Sequence, residues 1–74
     1  MATQDTLQNR LRDHRQRRYL TQKMLAESVG VTRQTIIAVE QGRFAPSVRL
    51  ALQLAKALET PLEELFWIEE GLIR

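Results

Sequence analysis

Apolar positions along the chain recur at three- and four-residue spacings, the period of helices packed on one side. No stretch alternates apolar and polar residues long enough to read as a convincing strand, and no segment repeats. The first six residues are polar and uncapped, and residues 1–8 read as a loose tail. Asn9 can cap a first helix running through Arg18, with Leu7, Leu11 and His14 as its thin apolar stripe. Thr21 caps a second helix from Gln22 to Val29, buried along Leu25, Ala26 and Val29 and stopped by Gly30. Thr32 caps a third, from Arg33 to Gln41, closed by Gly42. At 100° per residue, Ile36, Val39 and Glu40 share one side of it, and Gln34, Ile37, Ala38 and Gln41 the other.

Pro46 disfavours helix at Ala45, so residues 43–46 make a loop. Ser47 caps a fourth helix, Val48 to Leu58, whose polar residues Arg49, Gln53 and Lys56 form one narrow stripe. A helix apolar on its other sides belongs at the centre of the core. Thr60, Pro61 and Glu63 spell a capping box with proline at the first helical position, opening a short fifth helix that ends near Phe66. Residues 67–74 are apolar for a terminus and are compatible with a short strand, one that pairs with its twin or with the segment around Leu7.

At 74 residues there is room for one small core. The apolar share of 43% and charged share of 27% suit a folding domain. With no cysteine and the single histidine His14, disulfide frameworks and multi-histidine metal sites are excluded. There is no nucleophile–base pair and no glycine-rich phosphate loop, which argues against an enzyme, and no cofactor is expected. No apolar run approaches the roughly 20 residues that span a bilayer. The start, MATQDT, lacks the layout of a signal peptide, so the expectation is a cytoplasmic protein with no membrane partner.

The net charge of +2 is unevenly spread. Residues 1–43 hold eight Lys/Arg against four acids, and residues 44–74 three against five. A basic half beside an acidic one suits a polyanion on one face. The second and third helices, with Gly30 between them, form a helix-turn-helix pattern. Ala26 is small where the third helix crosses, Gly30 permits the turn, and Ile36 and Val39 anchor the third helix so that its other face stays free.

In Leu20-Thr21-Gln22, Leu25-Ala26, Gly30 through Ile36, Glu40-Gln41-Gly42-Arg43 and Pro46-Ser47, the sequence resembles the Cro/C1-type (XRE) helix-turn-helix regulators over about residues 9–68. The resemblance implies an all-α, five-helix, lambda-repressor-like DNA-binding domain over residues 9–66, with the helix-turn-helix at 22–41. It implies a third helix in the major groove of double-stranded DNA, the docking for which lambdoid repressors are the standard example. Arg33 and Gln34 then read bases, with Ile37 over a thymine methyl and Ala38 letting the face approach closely. Gln22, Thr32 and Arg43 fall at phosphate-contacting positions, and Arg15 matches an arginine that pairs with the glutamate at Glu40. The family usually binds two-fold operators as homodimers. The expected dimer surface is Trp67, Ile68, Leu72 and Ile73 of the tail, with Phe66 and the flank of the fourth helix at Leu50 and Leu54. The resulting expectation is a dimeric repressor. The alternative is an antitoxin-type protein that holds a toxin and regulates its own operon, or a regulator signalled through a sensor partner. The sequence departs from the family at Tyr19, where glycine commonly ends the first helix, at Met24, and at Phe44-Ala45.

Overall fold

Side-chain oxygens begin three of the helices as the sequence predicts. In a computed structural model that describes residues 6–69, Thr21 Oγ1 accepts from the Met24 amide at 3.0 Å, Thr32 Oγ1 from Thr35 at 3.2 Å and Ser47 Oγ from Leu50 at 3.0 Å. The elements run β1 (Thr6–Asn9), α1 (Leu11–Arg17), α2 (Gln22–Val29), α3 (Arg33–Glu40), α4 (Val48–Ala57), α5 (Leu62–Leu65) and β2 (Phe66–Glu69). Asn9 Oδ1 accepts from the Leu11 amide at 3.1 Å, so it caps α1 from the end of a strand.

The fifth helix starts differently from expectation. Thr60 Oγ1 donates to the Leu58 carbonyl at 2.9 Å and takes no part in a capping box. Pro61 occupies the cap position and α5 is a single turn. The hydroxyl finds a nearer acceptor in the carbonyls left open at the end of α4.

The N-terminal segment also differs. Residues 6–8, expected in a loose tail, pair with the far end of the chain in a two-stranded antiparallel sheet. The register is Thr6↔Glu69, Leu7↔Ile68, Gln8↔Trp67 and Asn9↔Phe66. Four residues carry too little alternation to announce a strand, and here the pairing partner lies about sixty positions away in the register just given. Leu72 and Ile73 lie outside the described residues.

The core is built by Leu11, Leu25, Ile36, Val39, Leu54, Leu58 and Leu65, all essentially without solvent exposure. Leu50 and Ala51 on α4 and Phe66 on β2 complete it. Leu50 and Leu54 are therefore corrected: both face the domain's own interior, and Leu54 has no surface left for a partner. The exposed apolar flank of α4 is Val48 and Leu52 instead. A helix apolar on most sides does not reveal which flank its own domain covers.

Four helices end the same way. The amides of Leu20, Val31, Arg43 and Thr60 each donate to the carbonyl five residues back, at Arg15, Ala26, Ala38 and Ala55. This closure needs a left-handed residue just before the donor. Gly30 and Gly42, both at φ +75°, supply it without strain, whereas Tyr19 at +57° and Glu59 at +49° do so against the Cβ clash. The departure at Tyr19 thus has a structural counterpart. Tyr19 is 92% exposed, so its side chain gains no packing in return. Tyr19→Gly should raise stability by about 1 kcal/mol, or about 4–8 °C in melting temperature for a domain of this size. A calorimetric scan with an unchanged or lower midpoint would show that the turn is unstrained.

Candidate nucleic-acid interface

The helix-turn-helix is assembled by α2 crossing behind α3. Ala26, only 2% exposed, lets the two backbones approach. Ile36 and Val39 seat α3 on the core. Its opposite face meets no other element: Arg33, Gln34 and Gln41 are exposed, while Ile37 and Ala38 are half-buried beside them. A stripe of donors, acceptors and small apolar groups is therefore held outward on a rigid helix.

The seat of α3 is fastened by a buried ion pair. Arg15 Nε donates to Glu40 Oε2 at 2.6 Å and Nη2 donates to Oε1 at 3.3 Å, a two-pronged contact of guanidinium on carboxylate. The two side chains are 9% and 4% exposed. Arg15 Nη1 donates to the Leu20 carbonyl at 2.8 Å, so the same guanidinium also holds the turn before α2. A buried charge needs this degree of pairing and hydrogen bonding to be tolerated. Among the described residues no buried side-chain nitrogen or oxygen lacks a partner.

Gln22 joins this network, which sequence reasoning did not foresee. Its Nε2 donates to Glu40 Oε1 at 3.1 Å, tying the first turn of α2 to the last turn of α3. The second amide hydrogen and the amide oxygen remain for other contacts. Thr32 Oγ1 accepts from the Thr35 amide and lies 3.1 Å from Thr35 Oγ1, so it acts as a cap at the foot of α3. Arg43 is exposed in the loop that follows Gly42. Arg12 shares a groove with Thr21, Gln22 and Gln41, adding a cation beside the start of α2. Helical spacing on α1 alone gave no way to separate Arg12 from the other surface arginines.

Away from this face, Trp67 lies half-buried under Arg10, whose guanidinium carbon sits 5.2 Å from the ring centroid. Arg10, His14 and Arg17 there line a groove with Glu63 and Glu64, so this side carries both signs of charge. Arg33 and Arg43, both exposed, stand at the two ends of α3.

A helix-turn-helix family model matches residues 11–65, which takes in α1 through α5. The chain belongs to the Cro/C1-type (XRE) helix-turn-helix family. It is 44% identical over 64 residues to the HTH-type transcriptional regulator YgzD of Bacillus subtilis, covering 86% of this chain and 97% of that one. An HTH-type transcriptional regulator of Methanothermobacter thermautotrophicus is 52% identical over 61 residues, covering 81% and 88%. Among solved structures, the restriction-modification controller protein C.AhdI of Aeromonas hydrophila superposes with a TM-score of 0.72 at 38% identity, covering 77% of this chain and 86% of that one. The clp gene regulator ClgR of Corynebacterium glutamicum gives a TM-score of 0.69 at 28% identity, covering 72% and 56%. As a Cro/C1-type protein the chain is a DNA-binding transcriptional regulator and not an enzyme. No helix among the described residues is long and apolar enough to cross a membrane.

The network around Glu40 carries a direct test in this Cro/C1-type domain. Glu40→Ala leaves the Arg15 guanidinium buried and unpaired, a loss of about 3–5 kcal/mol. Gln41→Ala, one position along but exposed, should melt close to the parent protein. Equal melting temperatures for the two variants would contradict the buried pair.

Proposed function

We propose that the protein binds a two-fold operator as a homodimer and acts as a repressor, with α3 of each subunit in the major groove. The observation that carries this reading is the outer face of α3, free of other elements and bearing Arg33 and Gln34 at its N-terminal end. The N-terminal residues of a recognition helix are those that reach base edges. Arg33 donates in a fork to guanine O6 and N7, and Gln34 pairs with adenine N6 and N7. Ile37 covers a thymine methyl, and Ala38 lets the helix sit deep. Gln22, Thr32 and Arg43 contact backbone phosphates and set the register without specifying sequence. In this scheme Glu40 holds Gln22 while its free amide hydrogen turns to a phosphate. Occupying a promoter is enough to block it, so repression needs no further chemistry.

One recognition helix reads few base pairs, and two-fold pairing places half-sites about 34–36 Å apart. The dimer surface we propose is the free edge of β2, with Ile68 and the open side of Trp67 at its centre. Two features support this choice. Ile68 is 56% exposed, a large apolar side chain on an outer strand. Among the described residues the sheet has two strands, so β2 offers an unpaired edge. Phe66 backs this surface from the core side.

Selection of bound duplexes from a random pool, followed by sequencing, tests the reading. A two-fold consensus is expected, and an absence of sequence preference would contradict it. On the selected site Gln34→Ala should cost about 1–3 kcal/mol and relax one consensus position. Arg43→Ala should weaken all sequences alike and lower the salt slope by about one. Uniform losses for both would contradict the assignment of the readers. Ile68→Glu should yield a folded monomer by light scattering, with a cooperative melt whose midpoint no longer depends on protein concentration. A dimer that survives this substitution would move the interface elsewhere.

A further inference from the structure

The sheet and the recognition helix are joined at one residue. Asn9 ends β1, where it pairs with Phe66 of β2. Its Oδ1 accepts from the Leu11 amide at 3.1 Å and its Nδ2 donates to the Val39 carbonyl, in the last turn of α3, at 3.0 Å. The second bond spans thirty positions in sequence and is, among the described residues, the one hydrogen bond between the sheet and α3. Apolar packing of Phe66 and Leu7 with the core around Val39 runs beside it, but such contact has no defined direction. A cleft opens here between the sheet and the end of α3, bordered by Leu7, Val39, Gly42, Phe44 and Phe66. Nor is the bond required to satisfy the carbonyl, because Val39 already accepts from the Gly42 amide at 3.0 Å. A bond whose acceptor is already satisfied, set at the edge of a cleft, acts on position.

We propose that Asn9 fixes the separation of the two recognition helices in the dimer, by tying the sheet that carries the subunit contact to the end of α3. This rests on the dimer reading given above. The other ties of the sheet lead elsewhere: the Arg10 amide donates to the Leu65 carbonyl at 2.9 Å, and Arg10 lies over Trp67. These hold β2 to α1 and α5. The direct path from subunit contact to base edge runs from β2 through β1 and Asn9 to α3, beside a longer one through α1 and the Arg15–Glu40 pair. Asn9 is a positioning residue that touches no DNA. Its effect falls on half-site spacing and not on the recognition of a single half-site.

Asn9→Asp separates the two bonds. The carboxylate still accepts from the Leu11 amide and suits the start of α1, but it turns an oxygen toward the Val39 carbonyl. Asn9→Ser is the second variant, with a hydroxyl able to cap Leu11 but too short to reach Val39. The full-length proteins would be titrated with the selected half-site alone and with palindromes whose spacer is correct or a single base pair shorter or longer, with melting temperature and mass recorded alongside. The parent should favour one spacer sharply. Both variants should bind the lone half-site as the parent does, while their preference for the correct spacer falls about threefold to tenfold, as expected for losing one hydrogen bond that acts in the dimer alone. A dimeric Asn9→Asp or Asn9→Ser protein that keeps the parent's spacer preference would overturn this proposal and leave the dimer reading intact. A parent protein that binds palindromes only as independent monomers would overturn both.

Discussion

The guanidinium of Arg15 is the point on which this domain turns. It is buried with the carboxylate of Glu40, and its donors reach α3 and the turn that precedes α2. Neither charge is tolerable alone in that setting, so each compels the other's position. Two helices whose paired residues lie 25 positions apart, and the turn five residues after Arg15, are brought to one place by an interaction with defined geometry, where apolar contact alone would allow them to slide. Gln22 extends the constraint to the first turn of α2. The relative placement of α2 and α3 is thus set by hydrogen bonds with direction as well as by the packing of Ala26, Ile36 and Val39.

This division of labour explains why α3 has two unlike faces. The inner one is committed to Ile36, Val39 and the buried carboxylate, and the outer one is left with no structural duty. Residues there can vary in chemistry without threatening the fold, which is what a reader of base edges requires. The cations are sorted in the same way. Arg15 is buried for structure, Arg10 lies over Trp67, Arg17 lines a groove with Glu63 and Glu64, and Arg12, Arg33 and Arg43 lie on the side of the turn and α3.

Much of this was legible in the sequence because it is local. Helix limits followed from Thr21, Thr32 and Ser47 as caps and from Gly30 and Gly42 as stops, all within four residues of the bond they make. The burial of Glu40 followed from helical period, and its partner from resemblance to phage relatives. What escaped was non-local or degenerate. The β1–β2 pairing joins the two ends of the described chain. The apolar tail suggests a strand, with its twin or the segment around Leu7 as partner, but four residues have too little pattern to choose between them or to set the register. The tie from Asn9 to Val39 depends on that pairing and escaped with it. Leu50 and Leu54 were misplaced because the apolar arc of α4 is wider than its core contact. Thr60 was misread because its hydroxyl had two competing partners in reach, a following amide and the Leu58 carbonyl.

The central claim is that the Arg15–Glu40 anchorage leaves the outer face of α3 as the surface that meets DNA. An NMR titration of the isotope-labelled protein with its selected operator duplex tests this most directly. The account predicts that amides from Arg33 through Gln41 and at the start of α2 shift on binding, while those of Glu63, Glu64 and Lys56 stay in place. Shifts centred on α4 and α5, with α3 unmoved, would contradict it.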